Sequence, residues 1–135
     1  MYHLLKIFSI CHHISILAEY GAGGQASVAG DAYSFGVTLL EMFTGKAPTD
    51  DMFTDGLTLH LLAEAGLPDK ILEIIDPELL LDELHDDDSG ILINCLTSII
   101  EVGVSCSKDS PSERMNMKHA AAKLHKIREE IEGIS

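Results

Sequence analysis

Asp31-Ala32-Tyr33-Ser34-Phe35-Gly36-Val37-Thr38-Leu39-Leu40-Glu41-Met42-Phe43-Thr44-Gly45 is the stretch that decides the architecture of this chain. Tyr33, Phe35, Val37, Leu39, Leu40, Met42 and Phe43 spread over nearly every face of a helix, and a helix apolar all round is normally buried all round. Asp31 falls in the first turn, where a carboxylate meets the positive end of the helix dipole. Gly45 supplies the left-handed residue that helices favour just past their end. The stretch predicts a central helix that needs neighbours on every side.

Outward from that helix, residues 46–56 read as a turn-rich loop through Pro48 and Gly56. A short helix over roughly 58–65 ends at Gly66. Pro68, suited to a first helical position, opens a second short helix that buries Ile71, Leu72, Ile74 and Ile75. Asp76-Pro77 closes it, because the residue before proline avoids the α region. Residues 82–90 are an acidic loop. Leu92, Cys95, Leu96, Ile99 and Val102 then recur at helical spacing and predict a buried helix over about 91–105. After a loop with Pro111, Asn116 caps a last helix with Met117, Ala120, Ala121, Leu124, Ile127 and Ile131 as its apolar stripe and Gly133 as its end. On the other side, residues 20–30 form a flexible loop of small residues, and residues 1–17 show no clean period. No internal repeat occurs. The expected fold class is all-α.

Composition agrees. A chain of 135 residues fits one domain with one core. Its hydrophobic content of 46% and mean hydropathy of +0.17 are too high for a disordered chain. Aromatics at 5% with no Trp leave an aliphatic core, which favours helices over a β-sandwich. A net charge of −13 excludes nucleic acid and anionic membrane surfaces as partners, since both demand clustered Lys and Arg. Between Asp50 and Asp88 the only Lys or Arg is Lys70, and Asp86-Asp87-Asp88 reads as a solvated loop. Cys11, Cys95 and Cys106 lack CxxC spacing and leave an odd thiol, which suits a reducing compartment. No apolar run reaches the ~20 residues of a membrane span. Met1 to Leu17 carries Lys6, His3, His12 and His13 and lacks a small-residue cleavage site, so it is a poor signal peptide.

Local motifs for chemistry fail one by one. Gly21-Ala22-Gly23-Gly24 has Ala26 where a dinucleotide loop needs its third glycine, and no strand precedes it. Gly45-Lys46 has Leu40 in place of the earlier Walker glycine and Ala47 in place of Ser or Thr. Asp50, Asp51 and Asp55 do not keep the spacing of a calcium loop. His12-His13 has no ligand partner nearby in sequence. No GxSxG turn makes a nucleophile of any serine.

Four patches nevertheless occur together. They are Ala18-Glu19-Tyr20-Gly21; Asp31-Ala32-Tyr33-Ser34-Phe35-Gly36-Val37; Gly45-Lys46-Ala47-Pro48-Thr49-Asp50-Asp51-Met52-Phe53 with Gly56-Leu57-Thr58-Leu59-His60; and Cys106 through Pro111 with Arg114 and Met115. In this order and spacing, residues 18–135 resemble the C-terminal part of the kinase domain of plant leucine-rich-repeat receptor-like Ser/Thr kinases. The resemblance implies a partial kinase C-lobe, its F to I helices, without the N-lobe, catalytic loop or Asp-Phe-Gly segment. It also implies three structural residues. Glu19, the end of the Ala-Pro-Glu motif, would pair with Arg114 through a charge-assisted bond. Asp31 would accept hydrogen bonds from the backbone of the catalytic loop.

The family's chemistry needs a Gly-rich cover over the phosphates, a Lys–Glu pair, a catalytic Asp and Asn, and a magnesium-holding Asp. Neither His-Arg-Asp nor Asp-Phe-Gly occurs in the sequence. The chain is therefore expected to have no catalytic, cofactor-binding or metal residues of its own, whereas the intact family uses ATP and magnesium. The parent implied by the resemblance transfers the γ-phosphate of ATP to protein Ser or Thr, from the cytoplasmic side of the plasma membrane. This chain by itself is expected to be inactive and cytoplasmic. Near residue 18 the resemblance breaks off: Cys11, His12 and Ser15 stand where the family places Gly-Thr and an aromatic, while Leu17 and Ala18 replace Ala and Pro. Residues 1–17 are expected to be a non-homologous segment, disordered or from another coding context. Two alternatives stand beside the kinase fragment. One is a non-catalytic helical module that docks on intact receptor kinases or their substrates; the other is an unrelated helical adaptor. An apolar central helix short of neighbours would in addition promote aggregation.

Overall fold

The structure, a computed structural model, describes residues 28–79 and 89–133 together with Ser9. The expectations for residues 1–17 apart from Ser9, for Glu19, for residues 20–27 and for residues 82–88 of the acidic loop lie outside the described residues, while Ser89 and Gly90, expected in that loop, are helical. The element order is α1 (Val28–Thr44), α2 (Leu59–Ala65), α3 (Ile71–Ile74), a 3-10 turn (Pro77–Leu79), α4 (Ser89–Cys106), a second 3-10 turn (Pro111–Glu113) and α5 (Met117–Gly133). Among the described residues there is no strand, as the all-α expectation has it.

α4 is the middle layer, with its largest contact on α1 and its second largest on α5. The core is aliphatic with two phenylalanines: Phe35, Leu39, Leu40 and Phe43 of α1, Leu92, Leu96, Ile99, Ile100 and Val102 of α4, and Leu124, Ile127 and Ile131 of α5 are all buried. Each such side chain contributes about 1.5–3 kcal/mol by leaving water. Where α1 and α4 meet, both helices use glycine. A Cβ on Gly36 would lie 2.8 Å from the Gly103 carbonyl oxygen and 2.8 Å from Cys106 Cβ, so the two backbones can approach this closely only without side chains.

α1 begins at Val28, so residues 28–30 of the expected 20–30 loop are helical; Asp31 lies in the first turn as expected, and the helix ends as its sequence requires. Gly45 has φ 73°, and its N–H donates to the Glu41 carbonyl at 2.9 Å. The buried Thr44 hydroxyl donates to the Leu40 carbonyl at 2.7 Å and accepts from the Lys46 N–H at 3.2 Å. The Asp76 N–H then donates to the Phe43 carbonyl at 2.9 Å, and Asp76 Oδ1 accepts from the Glu78 N–H at 3.0 Å. Asp76-Pro77 thus ends α3 as expected and also seats the first 3-10 turn on the C-terminal end of α1.

Three expectations need correction. α1 is not buried all round: Tyr33 is 42% exposed and Ser34 is exposed, so one side of the helix faces outward. Pro68 does not open a helix; it sits in the turn after α2, which the Lys70 N–H closes onto the Gly66 carbonyl at 2.9 Å, and α3 starts at Ile71. Leu72 is 47% exposed, because a helix of four residues turns only Ile71 and Ile74 inward. Asn116 caps α5 as expected, its Oδ1 accepting from the His119 N–H at 2.9 Å. Thr58, expected inside α2, is instead its cap, with Oγ1 accepting from the Leu61 N–H at 3.1 Å.

Candidate functional site

Arg114 lies directly after the second 3-10 turn, on the connection between α4 and α5. Its Nε donates to the Lys108 carbonyl at 2.6 Å and its Nη2 to the Asp109 carbonyl at 3.1 Å. The guanidinium also lies over the Tyr33 ring, 4.8 Å from its centroid. One side chain therefore folds the 108–114 segment on itself and ties it to the first turns of α1. Such a stacked cation contributes about 0.5–1 kcal/mol where exposed, and hydrogen bonds from a charged donor about 1.5–3 kcal/mol. Asp31 is half-buried in α1, two residues before Tyr33. Arg114 and Asp31 are thus brought to the same end of α1. Glu19, the expected ion-pair partner of Arg114, lies outside the described residues.

A second polar constellation was not flagged by the sequence. His60 Nδ1 lies 2.8 Å from Ser107 Oγ, and His60 Nε2 lies 3.6 Å from Glu64 Oε2. The order hydroxyl, imidazole, carboxylate is that of nucleophilic catalysis, but Ser107 is only 1% exposed, so no substrate reaches its oxygen. Ser107 Oγ also donates to the Gly103 carbonyl at 2.7 Å. The group is a brace between α2 and the end of α4. Nothing in the sequence pattern joins residues 47 positions apart.

Between α4 and α5 a groove of about 300 Å³ is lined by Glu101, Lys123, Lys126 and Glu130 around Val102 and Ile127. Behind it the Cys95 thiol donates to Glu130 Oε2 at 3.6 Å. Burial, with a smaller contribution from the Glu130 charge, pushes Cys95 up to about 11. Burial alone pushes Cys106 up to about 11. Both thiols stay protonated at neutral pH and are inert as nucleophiles. Among the described residues, no three His, Cys, Asp or Glu side chains converge into a metal-binding group. No helix among them is long and apolar enough to cross a membrane. These contacts hold the helices and their connections together.

Comparison with protein-family models gives no match. Comparison with curated proteins does. A receptor-like protein kinase of Arabidopsis thaliana is 46% identical over 111 residues, covering 82% of this chain and 11% of that protein. A leucine-rich-repeat receptor-like serine/threonine-protein kinase of the same plant is 44% identical over 112 residues, again 82% of this chain and 11% of its own length. The receptor kinase-like protein Xa21 of Oryza sativa subsp. japonica is 33% identical over 122 residues, 86% of this chain and 12% of its own. The chain thus spans about a tenth of the length of these relatives. By sequence it belongs to the plant leucine-rich-repeat receptor-like serine/threonine kinase family, as the counterpart of one segment of those proteins.

Proposed function

We propose that residues 18–135 are the helical lower part of a receptor-like Ser/Thr kinase domain, and that they supply scaffold rather than phosphoryl-transfer chemistry. The observation that carries this reading is the coincidence of two facts at one helix. The Asp31–Val37 patch that resembles the start of the kinase F helix lies on α1, and among the described residues the most extensive helix–helix contact is the one between α1 and α4. The relatives that match over most of the chain support it independently.

Phosphoryl transfer works by positioning and by metal-bridged neutralisation of phosphate charge. The residues present do not fit that group. The sequence contains neither His-Arg-Asp nor Asp-Phe-Gly; Asp31 and Arg114 lie on one helix end and a loop; and the hydroxyl nearest an imidazole is sealed in the core. Whatever the parent does to protein Ser or Thr at a membrane, these 135 residues alone bind no nucleotide productively. The test is incubation of the purified chain with magnesium, labelled nucleoside triphosphate and a generic protein substrate. The expected result is no turnover above a no-protein blank; magnesium-dependent label transfer overturns the reading.

A second role is compatible with the outward side of α1, where Tyr33 and Ser34 are exposed. There the chain would act as a docking module on intact receptor kinases or their protein substrates. Capture of a purified full-length relative by the immobilised chain, abolished by Tyr33→Ala, is the expected outcome; equal capture by the variant removes this role.

A further inference from the structure

The chain has four prolines, and the residues before them are Ala47, Leu67, Asp76 and Ser110. Ser110-Pro111 is therefore the one place in the sequence where a hydroxyl amino acid precedes proline. Proline holds the preceding residue in the extended region, and Ser110 is extended, with φ −82° and ψ 118°. The extension is local, because the 3-10 turn Pro111–Glu113 follows and the Glu113 N–H donates to the Ser110 carbonyl at 3.0 Å; a Ser/Thr kinase that takes its acceptor in extended chain therefore has to open that one turn.

The surroundings suit a phosphate. Ser110 is half-exposed on the α4–α5 connection, and its neighbours Asp109, Pro111 and Ser112 are exposed. Its hydroxyl lies 3.2 Å from the exposed Ser112 hydroxyl, with no backbone carbonyl competing for it. Five other described hydroxyls are engaged locally: Thr38, Thr44 and Thr97 donate to carbonyls of their own helices, Ser107, just past α4, donates to the Gly103 carbonyl, and Thr58 is a helix cap. Cations stand on both sides in sequence, Lys108 two residues before and Arg114 four after. A phosphate adds nearly two negative charges and three strong acceptors, the combination that an arginine fork takes.

We propose that Ser110 is a phosphate-acceptor site for a proline-directed protein kinase, and that the α4–α5 connection is thereby a point of regulation. This inference is independent of the kinase ancestry of the chain. In the step, Ser110 Oγ bonds to the γ-phosphorus of a nucleoside triphosphate held by the acting kinase. The bond from that phosphorus to the β,γ-bridging oxygen breaks, the nucleoside diphosphate leaves, and the serine proton passes to the acting kinase's base. Arg114 now spans the Lys108 and Asp109 carbonyls and the Tyr33 ring. The new dianion draws it toward residue 110 and changes how firmly the connection is held to α1.

The experiment uses the full 135-residue chain, a purified proline-directed Ser/Thr kinase and magnesium with labelled ATP, followed by peptide mapping. Label is expected on Ser110 in the folded chain. Ser110→Ala and Pro111→Ala should each lower it more than tenfold, and Ser112→Ala should leave it within twofold. Circular dichroism on each variant separates loss of the acceptor from loss of fold, and heat-denatured protein reports accessibility. Label on Ser112 instead, equal label in Ser110→Ala, or label only after denaturation overturns the proposal.

Discussion

At Gly36 and Gly103 the two central helices pass too close for side chains, but a methyl group at the two sites meets different obstacles. At Gly36 it meets backbone and a Cβ, at 2.8 Å from the Gly103 oxygen and 2.9 Å from the Ser107 nitrogen. At Gly103 it meets the end of the Leu40 side chain, 2.6 Å away, which has rotamers to use. Replacing a helical glycine by alanine gains about 0.5–1 kcal/mol in backbone entropy, while overpacking costs about 1–3 kcal/mol. Gly36→Ala should therefore destabilise by about 1–2 kcal/mol, and Gly103→Ala should be closer to neutral. Urea midpoints of the two variants check this, and the reverse order would refute the packing account. The thiols give a second residue-scale outcome. Cys95 and Cys106 are raised from 9.0 to about 11 in the fold, so folding favours their neutral forms. That contribution is complete below pH 9 and is lost as pH rises toward 11. The urea midpoint should be alike at pH 7 and pH 8 and lower at pH 10.5, with a smaller drop in Cys106→Ala. Alkylation of both thiols at pH 8 should wait on unfolding.

Between helices, the joints rest on polar contacts that the sequence does not advertise. Arg114→Ala should cost about 1–3 kcal/mol and speed amide exchange in residues 108–114. Arg114→Lys should not restore it, because a point charge cannot span two carbonyls and stack on Tyr33. Removing His60 or Ser107 should show a coupling of about 0.5–1.5 kcal/mol in a double-mutant cycle; additive losses would mean that the brace carries no energy. The helices themselves were legible, because their signals are local. Gly45 stops α1, Asn116 caps α5, and Leu92 through Val102 repeat at helical spacing, with all five of those predicted core positions of α4 buried. What the sequence hid is set by tertiary contact. Pro68 looks like a helix start until the Gly66–Lys70 turn is seen, and Leu72 looks buried until α3 proves to be four residues long. The roles of Gly36 and Gly103 come only from the crossing of α1 and α4, which no local pattern shows. Of the residues that the family resemblance brought forward, Arg114 occupies a position with clear mechanical work, and Asp31 lies at the same end of α1.

Among the described residues, α4 lies between α1 and α5, the short helices α2 and α3 pack against it, and polar side chains brace the joints. The buried faces of α1, α4 and α5 account for much of the 46% hydrophobic content, and the net charge of −13 is carried outside that core. The same design suits one segment of a longer receptor-like kinase, which is the proposed identity of residues 18–135. The most direct measurement is a transplant. Residues 18–135 replace the matching segment in the Arabidopsis relative that is 46% identical, and phosphoryl transfer by the chimera is compared with the parent and with a chimera carrying Asp31→Ala and Arg114→Ala. The account predicts activity within about tenfold of the parent for the first and a far larger loss for the second. A folded first chimera without activity, or equal activity in both, would contradict it.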